Sequence, residues 1–212
     1  MSVRLKSSLK QSIHIWAAIA LLFAAALVFL CRNSKAESYT LLVPYHNKAL
    51  DVFFTGFTYL GDGIFILILA ALFFIRRYKE TGLAIIVSYA LSGLPAQLLK
   101  YFIPSPRPAV FFRELGKDFY EIPGVTLMNS MASFPSGHTA SAFALMTILV
   151  LYNPHSKWNV LWCVLAVAVA YSRMYLGNHF LADVVSGAVI GIIGAFATTA
   201  ILPRYFTKNG KG

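Results

Sequence analysis

The chain has 212 residues, 58% of them hydrophobic and only 12% charged, with a mean hydropathy of +0.67. That balance excludes an ordinary water-soluble globular domain and points to an integral membrane protein. The formal net charge of +10, from 18 Lys and Arg against 8 Asp and Glu, would suit a nucleic-acid partner, but the positions of the charges argue against one.

Six apolar runs follow one another: residues 13–31, 57–75, 82–102, 137–152, 160–176 and 182–202. Each is long enough, or nearly so, to cross about 30 Å of hydrocarbon as a helix rising about 1.5 Å per residue. The sequence therefore predicts an all-α fold, a six-transmembrane-helix bundle forming a single domain over residues 1–212. No linker, low-complexity tract or internal repeat divides it. The segment between the first two runs, 32–56, carries the mixed pattern "LLVPYHNKALDVFFTGF" and is expected to lie along the interface. Aromatic residues near span ends (Trp16, Tyr59, Tyr78, Tyr101, Tyr152, Trp158 and Tyr205) fit an aromatic belt. Ser34-Lys35-Ala36 has the look of a signal-peptidase site, but the apolar run before it is long enough for an uncleaved signal anchor. Cys31 and Cys163 fall near opposite faces, so they form no intrachain disulfide and read as space-filling thiols.

With six spans, one side of the membrane collects Arg4, Lys6, Lys10, Arg76, Arg77, Lys79, Lys157, Arg204, Lys208 and Lys211 against the single acid Glu80. The opposite side holds the other eight cations and seven acids. The excess of Lys and Arg places both the N- and C-termini in the cytoplasm, and the first, third and fifth loops outside.

Charge placed within or against a bilayer is costly, so it marks function. Lys100 and Arg107 stand in "LLKYFIPSPRPAV" after the third run, Arg173, His179 and Asp183 in "SRMYLGNHFLADV" between the fifth and sixth, and "FPSGHTAS" opens the fourth. All three stretches share the outer face. Lys100, Arg107 and Arg173 gather three cations that the cytoplasmic excess does not explain, and guanidinium groups suit the paired oxygens of a phosphate. Ser136, Gly137 and His138 begin a helix, where free N–H groups and the positive end of the macrodipole favour an anion and Gly137 permits close approach. His179 and Asp183 are one helical turn apart, so the carboxylate can orient the imidazole as a nucleophile, while His138, from another helix, can donate a proton to a leaving oxygen. Asp62 in "YLGDG" has two readings: a helix N-terminal acid, or a partner for a site cation. Arg113 and Lys117 read as solvated loop charges, and His14, His46 and His155 as ordinary interfacial residues.

These residues resemble the type 2 phosphatidic acid phosphatase family, whose relatives include the vanadium haloperoxidases. Its signature, K-x6-R-P, then P-S-G-H, then S-R-x5-H-x3-D, is met without departure by Lys100 to Pro108, Pro135 to His138 and Ser172 to Asp183. The resemblance covers the middle and carboxyl two-thirds of the chain. It implies a six-helix membrane phosphatase with no metal and no cofactor, working through a phosphohistidine. On this sequence His179 would be the nucleophile, Asp183 its orienter and His138 the general acid, with Lys100, Arg107, Ser136, Gly137 and Arg173 holding the phosphate.

The substrate implied is a membrane lipid phosphate or pyrophosphate in the outer leaflet of a bacterial inner membrane. Undecaprenyl pyrophosphate ranks first, ahead of phosphatidylglycerol phosphate, phosphatidic acid and lipid A phosphates. A phosphotransferase would carry the same residues. A metal facial triad built from two histidines and a carboxylate is disfavoured by the three cations, and a vanadate-dependent oxidase by the membrane character of the chain. A non-enzymatic binder or transporter of anionic lipids explains the cations but not the two histidines.

Overall fold

The computed structural model describes residues 3–125 and 130–202. The expected cytoplasmic cations Arg204, Lys208 and Lys211, and Tyr205, lie outside the described residues. The described elements are α1 (Val3–Gln11), α2 (Ile13–Arg32), α3 (Lys35–Leu42), α4 (Lys48–Phe57), a 3-10 turn (Thr58–Gly61), α5 (Gly63–Ile75), α6 (Lys79–Phe102), α7 (Pro108–Glu114), α8 (Gly137–Tyr152), α9 (Asn159–Tyr175) and α10 (Leu181–Ile201). Among the described residues no strand forms, and only an isolated bridge pairs Ser105 with Ala132.

Helix α8 is apolar on every side, and such a helix must be buried. Every residue from Thr139 to Leu151 is buried, with α6, α9 and α10 packed round it. The approach of α10 depends on small residues. A Cβ on Gly187 would collide with the Ser136 carbonyl oxygen, and one on Gly191 with that of Ala140. Spaced four apart, these glycines lie on one face of α10 and let two backbones touch. On its α6 side Gly194 is nearly as close to Leu91 and Ser92.

The periphery follows different rules. Of α2 only Ile15 and Ile19 are buried, while Leu21 and Leu27 are 72% and 55% exposed. A greasy face of this kind is stable against lipid tails. Among the described residues three helices, α2, α6 and α10, are individually long and apolar enough to cross a bilayer. Helices α8 and α9 are apolar but shorter.

The run at 57–75, expected as one span, bends within it. The segments Lys48–Gly61 and Gly63–Ile75 meet at a bend of 55°. Asp62 takes extended backbone there (φ −75°, ψ 148°) and caps α5, its Oδ1 accepting the Ile64 N–H at 2.8 Å. A residue that caps one helix cannot continue another. The expected interfacial segment 32–56 also contains helices. Ser34 and Glu37 form a reciprocal capping box at the start of α3, and Asn47 caps α4 by accepting the Leu50 N–H at 2.9 Å.

Candidate active site

The three signature stretches converge because specific backbone bonds join them. Helix α6 ends at Phe102, just before the Ile103-Pro104 pair that disfavours further helix. The chain beyond pairs with the segment preceding α8: Ser105 N–H donates to Met131 O at 2.7 Å, and Ser133 N–H to Ser105 O at 3.0 Å. Ser136 N–H donates to the carbonyl of Asp183 at 3.0 Å, tying the start of α8 to the first turn of α10. Between α9 and α10, Gly177 adopts φ +68°, the left-handed conformation that ends a helix without penalty. The chain then doubles back, and the N–H groups of Asn178 and His179 both return to Arg173 O.

Arg107, the N-cap of α7, is 5% exposed and fixed by neutral acceptors alone. Nε donates to Ser130 Oγ at 2.9 Å, Nη1 to the Asn178 carbonyl at 3.1 Å and Oδ1 at 3.3 Å, and Nη2 to Ala132 O at 3.3 Å. Arg173 on α9 donates from Nη1 to Thr58 Oγ1 at 2.7 Å, while its buried Nε has no hydrogen-bond partner among the described residues. An ionised donor left without an acceptor carries a large desolvation cost unless an anion arrives. Lys100, in the last turn of α6, lies within electrostatic reach of both arginines and of Asp183.

His179 is 2% exposed, and its Nδ1 stands 3.6 Å from Asp183 Oδ2, longer than a formed hydrogen bond. The same Oδ2 accepts shorter bonds from Ser133 Oγ (2.6 Å) and Phe180 N–H (2.8 Å), so the carboxylate is fixed before it meets the ring. Burial pushes the His179 pKa down, helped by the charges of Arg173 and Arg107 and opposed by Asp183. The ring is thereby kept neutral, the form a nucleophile needs.

His138, the second residue of α8, is within reach of the charges of Arg173, His179, Lys100 and Arg107. Its side chain is 31% exposed and its Nε2 lies 3.8 Å from Asp62 Oδ2. A Cβ on Gly137 would meet nothing within 4 Å, so open space adjoins the start of α8. The expected phosphate ligand Ser136 is fully buried, and its hydroxyl serves as the N-cap, accepting from Thr139 N–H at 3.4 Å and Thr139 Oγ1 at 2.9 Å. Sequence reasoning did not find Thr58, Ser130, Ser133 or Asn178. Asp62 combines its two readings: it caps α5, and it lies within electrostatic reach of the site cation Arg173 and 3.8 Å from His138.

Another His–Asp pair lies outside this group. His46 Nδ1 is 3.7 Å from Asp51 Oδ1, and the ring sits 4.5 Å, centroid to centroid, from both Tyr120 and Tyr175. The tyrosine hydroxyls occupy the carboxylate, Tyr175 at 2.6 Å and Tyr120 at 2.9 Å.

A helical membrane protein with two buried arginines, a buried histidine and a half-buried lysine and histidine clustered at one end of its helices has a donor set suited to a phosphoryl group. The PAP2 superfamily model matches residues 81–206, and the chain belongs to that family. It is 30% identical over 164 residues to phosphatidylglycerophosphatase B of Bacillus subtilis, covering 71% of this chain and 72% of that one. It is 28% identical over 138 residues to the undecaprenyl-diphosphatase of Sulfolobus acidocaldarius, covering 65% of this chain and 63% of that one. The crystal structure of Aquifex aeolicus LpxE superposes with a TM-score of 0.67 at 33% identity, over 78% of this chain and 94% of that one.

Proposed function

We propose that the protein is a metal-independent lipid phosphatase that hydrolyses a lipid phosphate or pyrophosphate through a phosphohistidine at the outer face of a bacterial inner membrane. The single observation that carries this reading is the meeting of a neutral, carboxylate-backed His179 with Arg107, Arg173 and a second histidine. In the first step His179 Nε2 attacks phosphorus in line. The P–N bond forms as the P–O bond breaks, and the electron pair leaves with the lipid oxygen, which takes a proton from His138. In the second, neutral His138 removes a proton from water, whose oxygen attacks phosphorus and releases His179. Arg107, Arg173 and Lys100 hold the equatorial oxygens, with the charge they balance largest at the transition state. Gly137 leaves room at the start of α8, and Ser136 shapes that start as its cap.

The topology proposed is six spans, counting α4 to α5 as one bent span and α8 and α9 as short ones, with both termini cytoplasmic and residues 1–212 forming one unit. Short spans suit a site sunk against the interface, where a tail-anchored substrate can present its phosphate. Undecaprenyl pyrophosphate is the first-ranked substrate, supported by the similarity to an undecaprenyl-diphosphatase. Phosphatidylglycerol phosphate comes next, supported by the similarity to phosphatidylglycerophosphatase B, ahead of phosphatidic acid and lipid A phosphates. A phosphotransferase differs only in what replaces water.

The test is phosphate release by the purified protein in detergent over this lipid panel, with and without EDTA, beside acid-quench trapping of labelled phosphate on the protein. Release that survives EDTA, with an acid-labile phosphoprotein absent from His179→Ala, is expected. Equal inactivity of wild type and His179→Ala across the panel would instead favour a binder, and loss on chelation would overturn the metal-free scheme.

A further inference from the structure

His138 has to carry a proton to do the work proposed for it, and it stands among other cationic and imidazole groups. Arg173 faces it from α9, Lys100 from α6, Arg107 from the start of α7, and His179 from the turn before α10. Asp183, the acid of the signature, is turned to His179 and held by Ser133 and Phe180. The acid that faces His138 is Asp62, from the start of α5, at 3.8 Å from Nε2. That distance is ion-pair length but longer than a hydrogen bond, so the N–H stays free to reach a leaving oxygen while the carboxylate acts through space.

The placement is built into the fold. Gly61, the last residue of the 3-10 turn, is pressed so closely on α8 that a Cβ would stand 2.8 Å from the His138 carbonyl oxygen and 2.6 Å from Val169. Thr58, at the other end of the same turn, accepts from Arg173. Asp62 itself is pinned through Oδ1 by its capping bond, which leaves Oδ2 directed at the imidazole. This turn lies outside the signature.

We infer that Asp62 is a positioning residue for the general acid, keeping His138 protonated for departure of the lipid oxygen and stabilising the imidazolium that re-forms when water attacks. The inference rests on the phosphatase reading above. An opposite charge within about 4–6 Å favours the charged form by about one pH unit or more, and the partial exposure of this pair argues for the lower end.

The experiment compares the wild type with Asp62→Asn and Asp62→Ser, both neutral and both able to keep the cap, on two probes: dioleoyl phosphatidic acid, whose leaving group is an alkoxide, and farnesyl diphosphate, whose leaving group is already an acidic phosphate. Both variants are expected to lose about tenfold in kcat/KM on phosphatidic acid near pH 7.5, to move the alkaline limb of its pH profile down by about one unit, and to lose no more than about twofold on farnesyl diphosphate. Asp62→Glu should restore the limb at least in part. Equal losses on both probes with the limb unmoved would mean a merely structural cap and overturn the inference. A wild type that releases no phosphate from either probe or from the wider lipid panel overturns the phosphatase reading itself.

Discussion

Two buried aspartates in this molecule face a histidine at nearly the same distance, 3.6 Å for His179–Asp183 and 3.7 Å for His46–Asp51, yet their surroundings differ in kind. Asp51 is occupied by two tyrosine hydroxyls, and its histidine is wedged between their rings. Asp183 is fixed by a serine and a backbone N–H, and its histidine looks onto two buried guanidinium groups, one with a free Nε. The first pair lies among aromatic rings, the second among cations. A His–Asp contact therefore has no chemical meaning until the charge round it is counted.

The comparison breaks most sharply under removal of each ring. His179→Gln should abolish phosphate release by at least about four orders of magnitude, as loss of a nucleophile does, while His46→Gln should stay within about threefold in the same assay. Next in size, Arg173→Lys keeps the charge but loses the planar fork, and kcat/KM should fall about 10²- to 10³-fold. The loss of Arg173's bond to Thr58 is part of that effect.

The pH behaviour of the two rings sharpens the contrast. Burial lowers both pKa values below the ordinary 6.5. For His179, the more deeply buried, the acid limb of kcat/KM should accordingly fall on the acid side of 6.5, because the neutral ring persists below the ordinary imidazole range. For His46 the sign concerns stability: the unfolded chain binds the proton more readily, so its contribution is present above about 6.5 and lost as the pH falls toward the folded value. The smallest expected effect is on Asp51. Asp51→Asn replaces one of two acceptor oxygens by a donor facing a hydroxyl and should lower unfolding free energy by about 1–3 kcal/mol, read by thermal denaturation in detergent, with little change in turnover.

The chemistry of the site was legible in the sequence to the extent that it is local. Lys100 and Arg107, the P-S-G-H run, and the set Arg173, His179 and Asp183 are each a short stretch with fixed spacing, and the topology that put them on one face needed only the helix count between them. What supports them was not legible, because it crosses the chain: Arg173 bonds to Thr58 over 115 positions, Arg107 to Asn178 over 71, and Ser133 to Asp183 over 50. No local pattern announces a partner at such separations. Helices α3 and α4 were a different kind of omission. Ser34 with Glu37, and Asn47 before Lys48, are ordinary start signals for a helix, but they sit among apolar residues that suggested an interfacial loop. Asp62 was in view as a capping acid, and nothing in the sequence could say that the cap would lie against the start of α8.

The glycine contacts of α10 have a mechanical consequence. At Gly187 and Gly191 two helices touch with no side chain between them, and one of these contacts bears on the carbonyl of Ser136, two residues before His138. The gap between the His179 and His138 rings is thus gauged by a bare backbone crossing with no slack to give.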